Sequence, residues 1–276
     1  MNQDEIRRLE NIARELRIQV IKMFEAATSG HAGGSMSIAE MVSVLYFHEM
    51  NINPKDPKDP DRDRFVLSKG HACFTVYAAL AKIGYIDEEV LYHPYEVDSP
   101  VQGHPELGDF PGIDMGTGAL GQGLSAGIGM ALGARIQKRN YRTYVIIGDG
   151  ESMEGQIWEA AMLAPKYKLD SLVAILDYNK MSLSGPLSEI MPLDPIVDKW
   201  KAFGWNVLEI DGHSVSELGQ ALKEARTVKG KPTMIVAHTI KGKGMPEIEG
   251  IWQSHAIADF SSEMAVKIIQ DLECTS

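Results

Sequence analysis

Apolar residues recur with a helical spacing near the start of the chain. Between residues 4 and 28 they stand three or four positions apart, at Ile6, Leu9, Ala13, Leu16, Val20 and Phe24. This spacing is typical of an amphipathic helix and predicts a long one here, with Asp4 as its N-terminal cap.

Farther along, short apolar runs typical of buried strands alternate with segments of helical pattern. The runs are residues 64–68, 143–149, 171–177, 206–211 and 233–240. Helical patterns follow or separate them at 72–84, 157–167 and 215–228. Strands that alternate with helices predict βαβ crossovers and a parallel sheet. We therefore expect an α/β fold, with a mostly parallel sheet and helices on both faces, as a single domain over residues 1–276.

Three stretches are rich in small or polar residues. Residues 92–118 and 181–198 are too long for simple turns, which predicts ordered functional loops. The stretch 116–134 contains Gly121-x-Gly123-x-x-Ala126, a partial match to a dinucleotide fingerprint. We discount that match because no apolar strand directly precedes it. A closely packed helix that starts beside a ligand is the better interpretation.

Composition excludes several classes of function. Lys and Arg number 27 against 38 Asp and Glu, a formal net charge of −11, so no general positive field attracts nucleic acid or an anionic membrane. Cys73 and Cys274 lie far apart and outside any zinc-binding spacing, which argues against a disulfide framework and a zinc module. The amino terminus is charged from its start, which favours an unexported, cytoplasmic protein.

Polar residues follow two predicted strands at the point where each ends. Asp149 lies in a Gly-Asp-Gly turn, and Asn179 comes 30 residues later, after the next strand. Carboxyl ends of parallel strands meet at one edge of a sheet, where ligands of open α/β sheets bind. With a backbone carbonyl near Met181, these oxygens would suit Mg²⁺ and a diphosphate. The alternative is that both positions are ordinary turn residues.

Four of the eight histidines stand among small residues in predicted loops: His31, His71, His104 and His255. An imidazole can donate to phosphate or hydroxyl oxygens and can move protons near neutral pH. Unrelated surface or core histidines are the alternative interpretation. Zinc is disfavoured because no HxxxH or HExxH spacing occurs.

The order of these motifs resembles the transketolase family over nearly the whole chain. GDG, MEG, WEA and DYN, between residues 148 and 179, are similar to its thiamine-diphosphate signature. Five further segments resemble its loops: SGHAGGSMS, VLSKGHA, GHPE, GTGALGQGLS and KGKG followed by a histidine. Lys69, Ala119 and Tyr178 differ from residues common in long transketolases, but none replaces an expected metal ligand or histidine.

The resemblance implies a role for each candidate residue. Asp149, Asn179 and the carbonyl of Met181 would hold Mg²⁺, or another divalent cation such as Ca²⁺ or Mn²⁺. The residues expected to contact thiamine diphosphate are His71, Gly118, Leu120, Gly150, Glu154, Asn179 and His255. Glu154 and Glu159 would also belong to an acidic network that links paired active sites. His31 and His104 would face the sugar, and His255 would assist proton movement.

The implied activity is transfer of a two-carbon ketol unit from a ketose phosphate, such as a pentose phosphate, to an aldose phosphate. The resemblance covers only the diphosphate-binding domain. A partner chain carrying the pyrimidine-binding and C-terminal domains is therefore expected, in an α₂β₂ heterotetramer, and the chain would be inactive alone. Two alternatives remain open, the α subunit of a 2-oxoacid dehydrogenase and a non-catalytic cofactor-binding homologue.

Overall fold

A five-stranded sheet forms the centre of the computed structural model, which describes residues 1–274. Every neighbouring pair is parallel, and the spatial order is β1-β2-β3-β5-β4. The strands are β1 Arg64–Leu67, β2 Thr143–Gly148, β3 Leu172–Tyr178, β4 Asn206–Asp211 and β5 Thr233–His238. The expected α/β fold with a parallel sheet is confirmed.

Helices precede, connect and follow the strands. The α-helices of the described residues are α1 Gln3–Ala27, α2 Ala32–Met36, α3 Ala39–Val44, α4 Cys73–Lys82, α5 Gln122–Ile136, α6 Gly155–Lys166, α7 Leu187–Ile190, α8 Ile196–Ala202, α9 Val215–Thr227 and α10 Ser262–Cys274. Short 3₁₀ segments are Gly70–Ala72, Glu88–Tyr92, Gly150–Met153 and Trp252–His255, and Leu45–Glu49 is a π-helical turn. Within residues 1–274, none of the helices is both long and apolar enough to span a bilayer.

Three details of the predicted elements need correction. The cap of α1 is Asn2, not Asp4, since the Asn2 side chain accepts a hydrogen bond from the Glu5 N–H at 2.8 Å. The predicted loop 181–198 contains α7 and the start of α8. The pattern also gave no sign of α2 and α3, because almost every residue there is buried and no polar face alternates with an apolar one.

Side chains of the sheet enter two hydrophobic cores, one on each face. Along β2, Tyr144 and Ile146 belong to the first core, and Val145 and Ile147 belong to the second. Helices α1, α3, α4, α9 and α10 cover the first face, and α5, α6 and α8 cover the second. This alternation follows from the period of two of a β-strand, and it leaves the strand ends as the polar parts of the sheet.

A buried carboxylate, Glu49, stabilises the amino-terminal edge of the sheet. It accepts hydrogen bonds from the Tyr144 hydroxyl at 2.7 Å and from the Arg226 guanidinium at 2.8 Å. The contacts join the π-helical turn, β2 and the end of α9. This edge is opposite the carboxyl ends of the strands, where ligands bind in such folds.

A second buried carboxylate, Glu40 of α3, joins α1 to the turn after β4. Both of its oxygens accept from Arg17, at 2.6 and 2.7 Å, and one lies 3.0 Å from His213 Nδ1. Burial alone would raise the pKa of Glu40, but Arg17 and His213 outweigh burial and lower it to about 2. The ionised carboxylate is therefore a stabilising part of the fold at neutral pH.

We expect Glu40→Gln to lower the free energy of unfolding by about 3 kcal/mol at neutral pH, because the Arg17 charge stays buried without its counter-ion. The folded-state pKa of Glu40 lies below the ordinary value. Its ionised carboxylate therefore stabilises the wild-type fold above about pH 4.5, and this stabilisation is lost as the pH falls towards 2. Urea unfolding of both proteins near neutral and near pH 3.5 measures this. Glu10→Gln, on the exposed face of α1, is the control; an equal gap at both pH values contradicts the assignment.

Candidate active site

A cavity of about 230 Å³ opens beyond the carboxyl ends of the central strands. The residues after β1, β2, β3 and β5 all contribute to its wall, as parallel pairing requires. Its lining is Gly34, Lys69, His71, Leu120, Gly148, Asp149, Gly150, Glu151, Met153, Asp177, Asn179, Met181, Ser182, Leu183, Ser184, Ile190, Lys241 and His255. Most of the residues predicted to bind the cofactor or a metal therefore lie around one cavity.

Asp149 and Asn179 lie side by side in this wall. The Asp149 N–H donates to the carbonyl of Asp177 at 3.3 Å, and the Asp149 carboxylate accepts from the N–H groups of Gly150 and Lys180. The Asn179 side-chain oxygen accepts from the Met181 N–H at 3.1 Å. One carboxylate, one amide oxygen and the nearby backbone of residue 181 thus converge, as expected from the strand ends.

The electrostatics of this group suit a cation. Burial, and then the neighbouring Asp177 carboxylate, raise the pKa of Asp149 to about 7. A bound divalent ion would offset that buried negative charge, and hard oxygen donors are the ligands that Mg²⁺ prefers. No cluster of three or more His, Cys, Asp or Glu side chains suited to a metal occurs in residues 1–274. The fit rests instead on the mixed carboxylate, amide and carbonyl set.

Asp177, at the end of β3, is fully buried and strongly hydrogen-bonded. Its carboxylate lies 2.5 Å from Lys69 Nζ and accepts from Ser37 Oγ at 2.8 Å and from the Thr239 hydroxyl. Burial would raise the pKa of Asp177, but the Lys69 charge and these donors lower it below its usual value. The ion pair keeps both charges beside the cavity wall.

The four predicted histidines form one cluster. Ring centroids lie 5.5 Å apart for His31 and His71, 5.8 Å for His31 and His104, 5.6 Å for His31 and His255, and 4.8 Å for His71 and His255. A backbone bridge between Gly30 and Ile257 holds the first and last of these loops together. Only His71 and His255 line the cavity, whereas His31 and His104 lie beyond it.

His31, His71 and His255 carry little positive charge at neutral pH. Burial, and then the charge of Lys69, lower the pKa of His71 to about 2. Burial and Lys241 lower the pKa of His255 to about 4, and burial and His104 lower that of His31. Neutral rings can both donate and accept hydrogen bonds, which suits contact with hydroxyl or phosphate oxygens.

Of the three remaining residues predicted to contact the cofactor, only one lines the cavity. Gly118 and Leu120 lie in the glycine-rich loop before α5, and Glu154 directly precedes α6. Leu120 lines the cavity, whereas Gly118 lies against His104, with the ring 3.4 Å from the position of an added Cβ. Glu154 is exposed, does not line the cavity, and packs its Cβ against Gly121. Gly121 has a φ of +84°, the left-handed conformation that glycine adopts most readily.

Four charged residues of the cavity wall were not predicted as site residues: Lys69, Glu151, Asp177 and Lys241. Lys69, Asp177 and Lys241 stand inside the motifs SKGH, DYN and KGKG, and Glu151 directly follows GDG. A charged residue within or directly beside a ligand-facing motif was the available signal. Burial, which turns such a charge into a strong interaction, cannot be read from the motif.

Comparisons with known proteins find similar sequences and structures over nearly the whole chain. The family model described as "Transketolase, thiamine diphosphate binding domain" matches residues 9–269. The chain is 46% identical over 263 residues to the 6-deoxy-6-sulfo-D-fructose transketolase subunit SqwG of Clostridium sp. (strain MSTE9), covering 95% of this chain and 94% of that protein. It is 42% identical over 251 residues to an apulose-4-phosphate transketolase subunit from Phocaeicola vulgatus, covering 91% of this chain and 89% of that protein.

Longer transketolases match over only part of their length. The human transketolase is 42% identical over 272 residues, which cover 98% of this chain and 43% of that protein. The crystal structure of the Campylobacter jejuni transketolase superposes with a TM-score of 0.91 at 34% identity, over 99% of this chain and 43% of that one. These matches confirm the fold and the function class expected from the motifs. The chain therefore belongs to the transketolase family of transferases, and residues 9–269 are its thiamine-diphosphate-binding domain.

Proposed function

We propose that this chain is the cofactor-binding subunit of a two-chain transketolase. The observation that supports the proposal is that the candidate metal-binding residues and the histidine cluster lie next to each other. Asp149 and Asn179, suited to a metal and a diphosphate, line the same cavity as His71 and His255, and those histidines touch His31. A phosphate-binding end and a sugar-binding end therefore lie next to each other, as ketol transfer requires.

The phosphate-binding end holds the cofactor through a divalent cation. Asp149, Asn179 and the carbonyl of Met181 bind Mg²⁺, for which Ca²⁺ or Mn²⁺ can substitute. His71, Gly150 and His255 would contact the diphosphate. Lys241 also lines the cavity, and burial lowers its pKa to about 8, so much of it stays protonated near neutral pH and can face the same anion.

At the other end, the chain positions the sugar and moves protons. When bound, thiamine diphosphate supplies the nucleophilic carbon that breaks and forms the carbon–carbon bond of the ketol group. His31 and His104 hydrogen-bond the hydroxyl groups of the donor. The neutral ring of His255 lies between the cavity and His31, which suits it to accept or release a proton beside the sugar.

A partner chain completes this enzyme. The chain covers 94% and 89% of two relatives whose names call them subunits, but only 43% of the human transketolase. We assign the pyrimidine-binding and C-terminal domains to that partner and the assembly to α₂β₂. A reducing cytoplasm suits the two free cysteines, of which Cys73 is buried. The SGH, SKGH and GHPE loops favour this sugar chemistry over oxidation of 2-oxoacids.

The donor in this proposal is a ketose with an anionic group at its far end. The names of two relatives specify a sulfonated fructose and a ketose phosphate, respectively. Both substrates share a ketose head and a terminal anion. Because only His31 and His104 are assigned to the sugar, and both to its hydroxyl groups, we assign recognition of that anion mainly to the partner chain.

Transketolase activity is expected only when both chains are present. The assay uses thiamine diphosphate, Mg²⁺, a phosphorylated or sulfonated ketose and an aldose phosphate acceptor, with this chain alone and co-purified with a chain carrying the two missing domains. Turnover in the mixture alone supports the proposal. A stable complex that binds cofactor but oxidises pyruvate with an artificial electron acceptor would identify a 2-oxoacid dehydrogenase instead.

Asp149→Asn is expected to weaken thiamine-diphosphate binding at fixed Mg²⁺ by about 100-fold, equivalent to about 2.8 kcal/mol, because a carboxylate ligand becomes a neutral amide. Isothermal titration calorimetry of the complex measures the affinity. Asp198→Asn, on the surface of α8, is the matched control and keeps wild-type affinity. Equal affinities for the two variants would remove Asp149 from the metal site.

His31→Ala and His104→Ala are expected to lower kcat/KM for the ketose donor by about 10- to 100-fold, since each loses a hydrogen bond to a substrate hydroxyl. Their affinity for thiamine diphosphate stays near the wild-type value, because neither residue lines the phosphate cavity. His71→Ala shows the opposite pattern, with weaker cofactor binding. Steady-state kinetics with varied donor and varied cofactor separate the two, and His48→Ala, outside the cluster, serves as the control.

A further inference from the structure

Glu151 is a buried carboxylate in the cavity wall that the proposed chemistry does not use. It lies on the 3₁₀ turn after β2, two residues beyond Asp149, and is only 2% exposed. A carboxylate in such a place is costly unless donors surround it. The donors of its hydrogen bonds therefore show which segments of the chain Glu151 holds together.

Three segments of the cavity wall donate to Glu151. The N–H of Gly121, at the start of α5, donates at 2.8 Å, and the N–H of Gly148, at the end of β2, donates at 2.9 Å. The Ser68 hydroxyl, directly after β1, is the third donor. Ser68 in turn accepts from the N–H of Gly123 at 3.1 Å.

The fit around these contacts is close. A Cβ on Gly123 would lie 2.5 Å from the Ser68 side chain, so the start of α5 packs directly on the end of β1. Gly148 immediately precedes Asp149, and Gly121 immediately follows Leu120, and both Asp149 and Leu120 line the cavity. One side chain thus sets the distance between the metal-binding turn and the loop expected against the cofactor ring.

We propose that Glu151 is a positioning residue for thiamine diphosphate, acting through the three backbone segments that it joins. It fixes Leu120 and Asp149 relative to each other, so that the ring and the diphosphate are held at the correct separation. Oε1 accepts two of the hydrogen bonds and Oε2 accepts the third, which occupies both oxygens within the protein. The inference rests on the proposed function, since it deepens the role of the same site.

Glu151→Gln tests this proposal with little change of volume. The amide must present N–H donors towards backbone N–H groups, which breaks at least one of the three contacts. In the complex of the full chain with its partner, the apparent KM for thiamine diphosphate at saturating Mg²⁺ should rise by about tenfold or more. The kcat at saturating cofactor should stay within about threefold of wild type, since Glu151 is given no chemical step.

Glu49→Gln is the matched control for a merely structural effect. It also removes a buried carboxylate that accepts several hydrogen bonds, but at the opposite edge of the sheet. It should lower the melting temperature while leaving the KM for the cofactor unchanged. Ser68→Ala is a milder second variant. It removes the hydroxyl that donates to Glu151 and accepts from the Gly123 N–H, but leaves both backbone donors to Glu151, and it should raise the KM by a smaller factor.

These experiments distinguish failure of the positioning role of Glu151 from failure of the proposed transketolase function. An unchanged KM for thiamine diphosphate in both Glu151→Gln and Ser68→Ala, or an equal rise in Glu49→Gln, overturns the positioning role. A wild-type complex that binds no thiamine diphosphate refutes the proposed function itself, whatever the variants do. A rise confined to the Glu151 and Ser68 variants, with kcat retained, supports the inference.

Discussion

The buried carboxylate of Asp177 is the constraint on which the carboxyl edge of this sheet depends. Ionised and fully buried, it must be surrounded by donors, because an unpaired charge in such a place costs several kcal/mol. Its donors come from different parts of the chain: Lys69 after β1, Thr239 after β5, and Ser37 between α2 and α3. Satisfying one charge therefore brings together the segments that form the cavity.

The same arrangement determines the electrostatic character of the site. Lys69 pairs with Asp177. Burial, and then the Lys69 charge, lower the pKa of His71, whereas Asp149 has a raised pKa because it is buried and Asp177 lies close by. His71 and His255 are therefore largely neutral near pH 7, and the Asp149 carboxylate remains available to a cation.

Buried carboxylates serve different purposes at the two edges of the sheet. At the amino-terminal edge, Glu49 pairs with Arg226 and joins the π-helical turn and α9 to β2. Glu151 instead accepts from backbone N–H groups and a hydroxyl at the cavity wall. An arginine pair holds elements together, whereas contacts to backbone groups set the position of the loops themselves. A buried carboxylate thus stabilises the packing of elements at the amino-terminal edge and sets the positions of loops at the carboxyl edge.

The strands, the parallel sheet and the family could be predicted from the amino-acid sequence, because apolar runs, their spacing and ordered motifs are local properties of the chain. The sequence also predicted that Asp149 and Asn179 would lie close together, since one crossover separates them. Tertiary packing determines what depends on burial: the Lys69–Asp177 pair, the position of Glu151, and the fact that His71 and His255 line the cavity whereas His31 and His104 do not. It also displaced the cap from Asp4 to Asn2 and left Glu154 outside the cavity. Charge and hydrogen bonding become strong only where water is excluded, and that exclusion is a property of the packed chain.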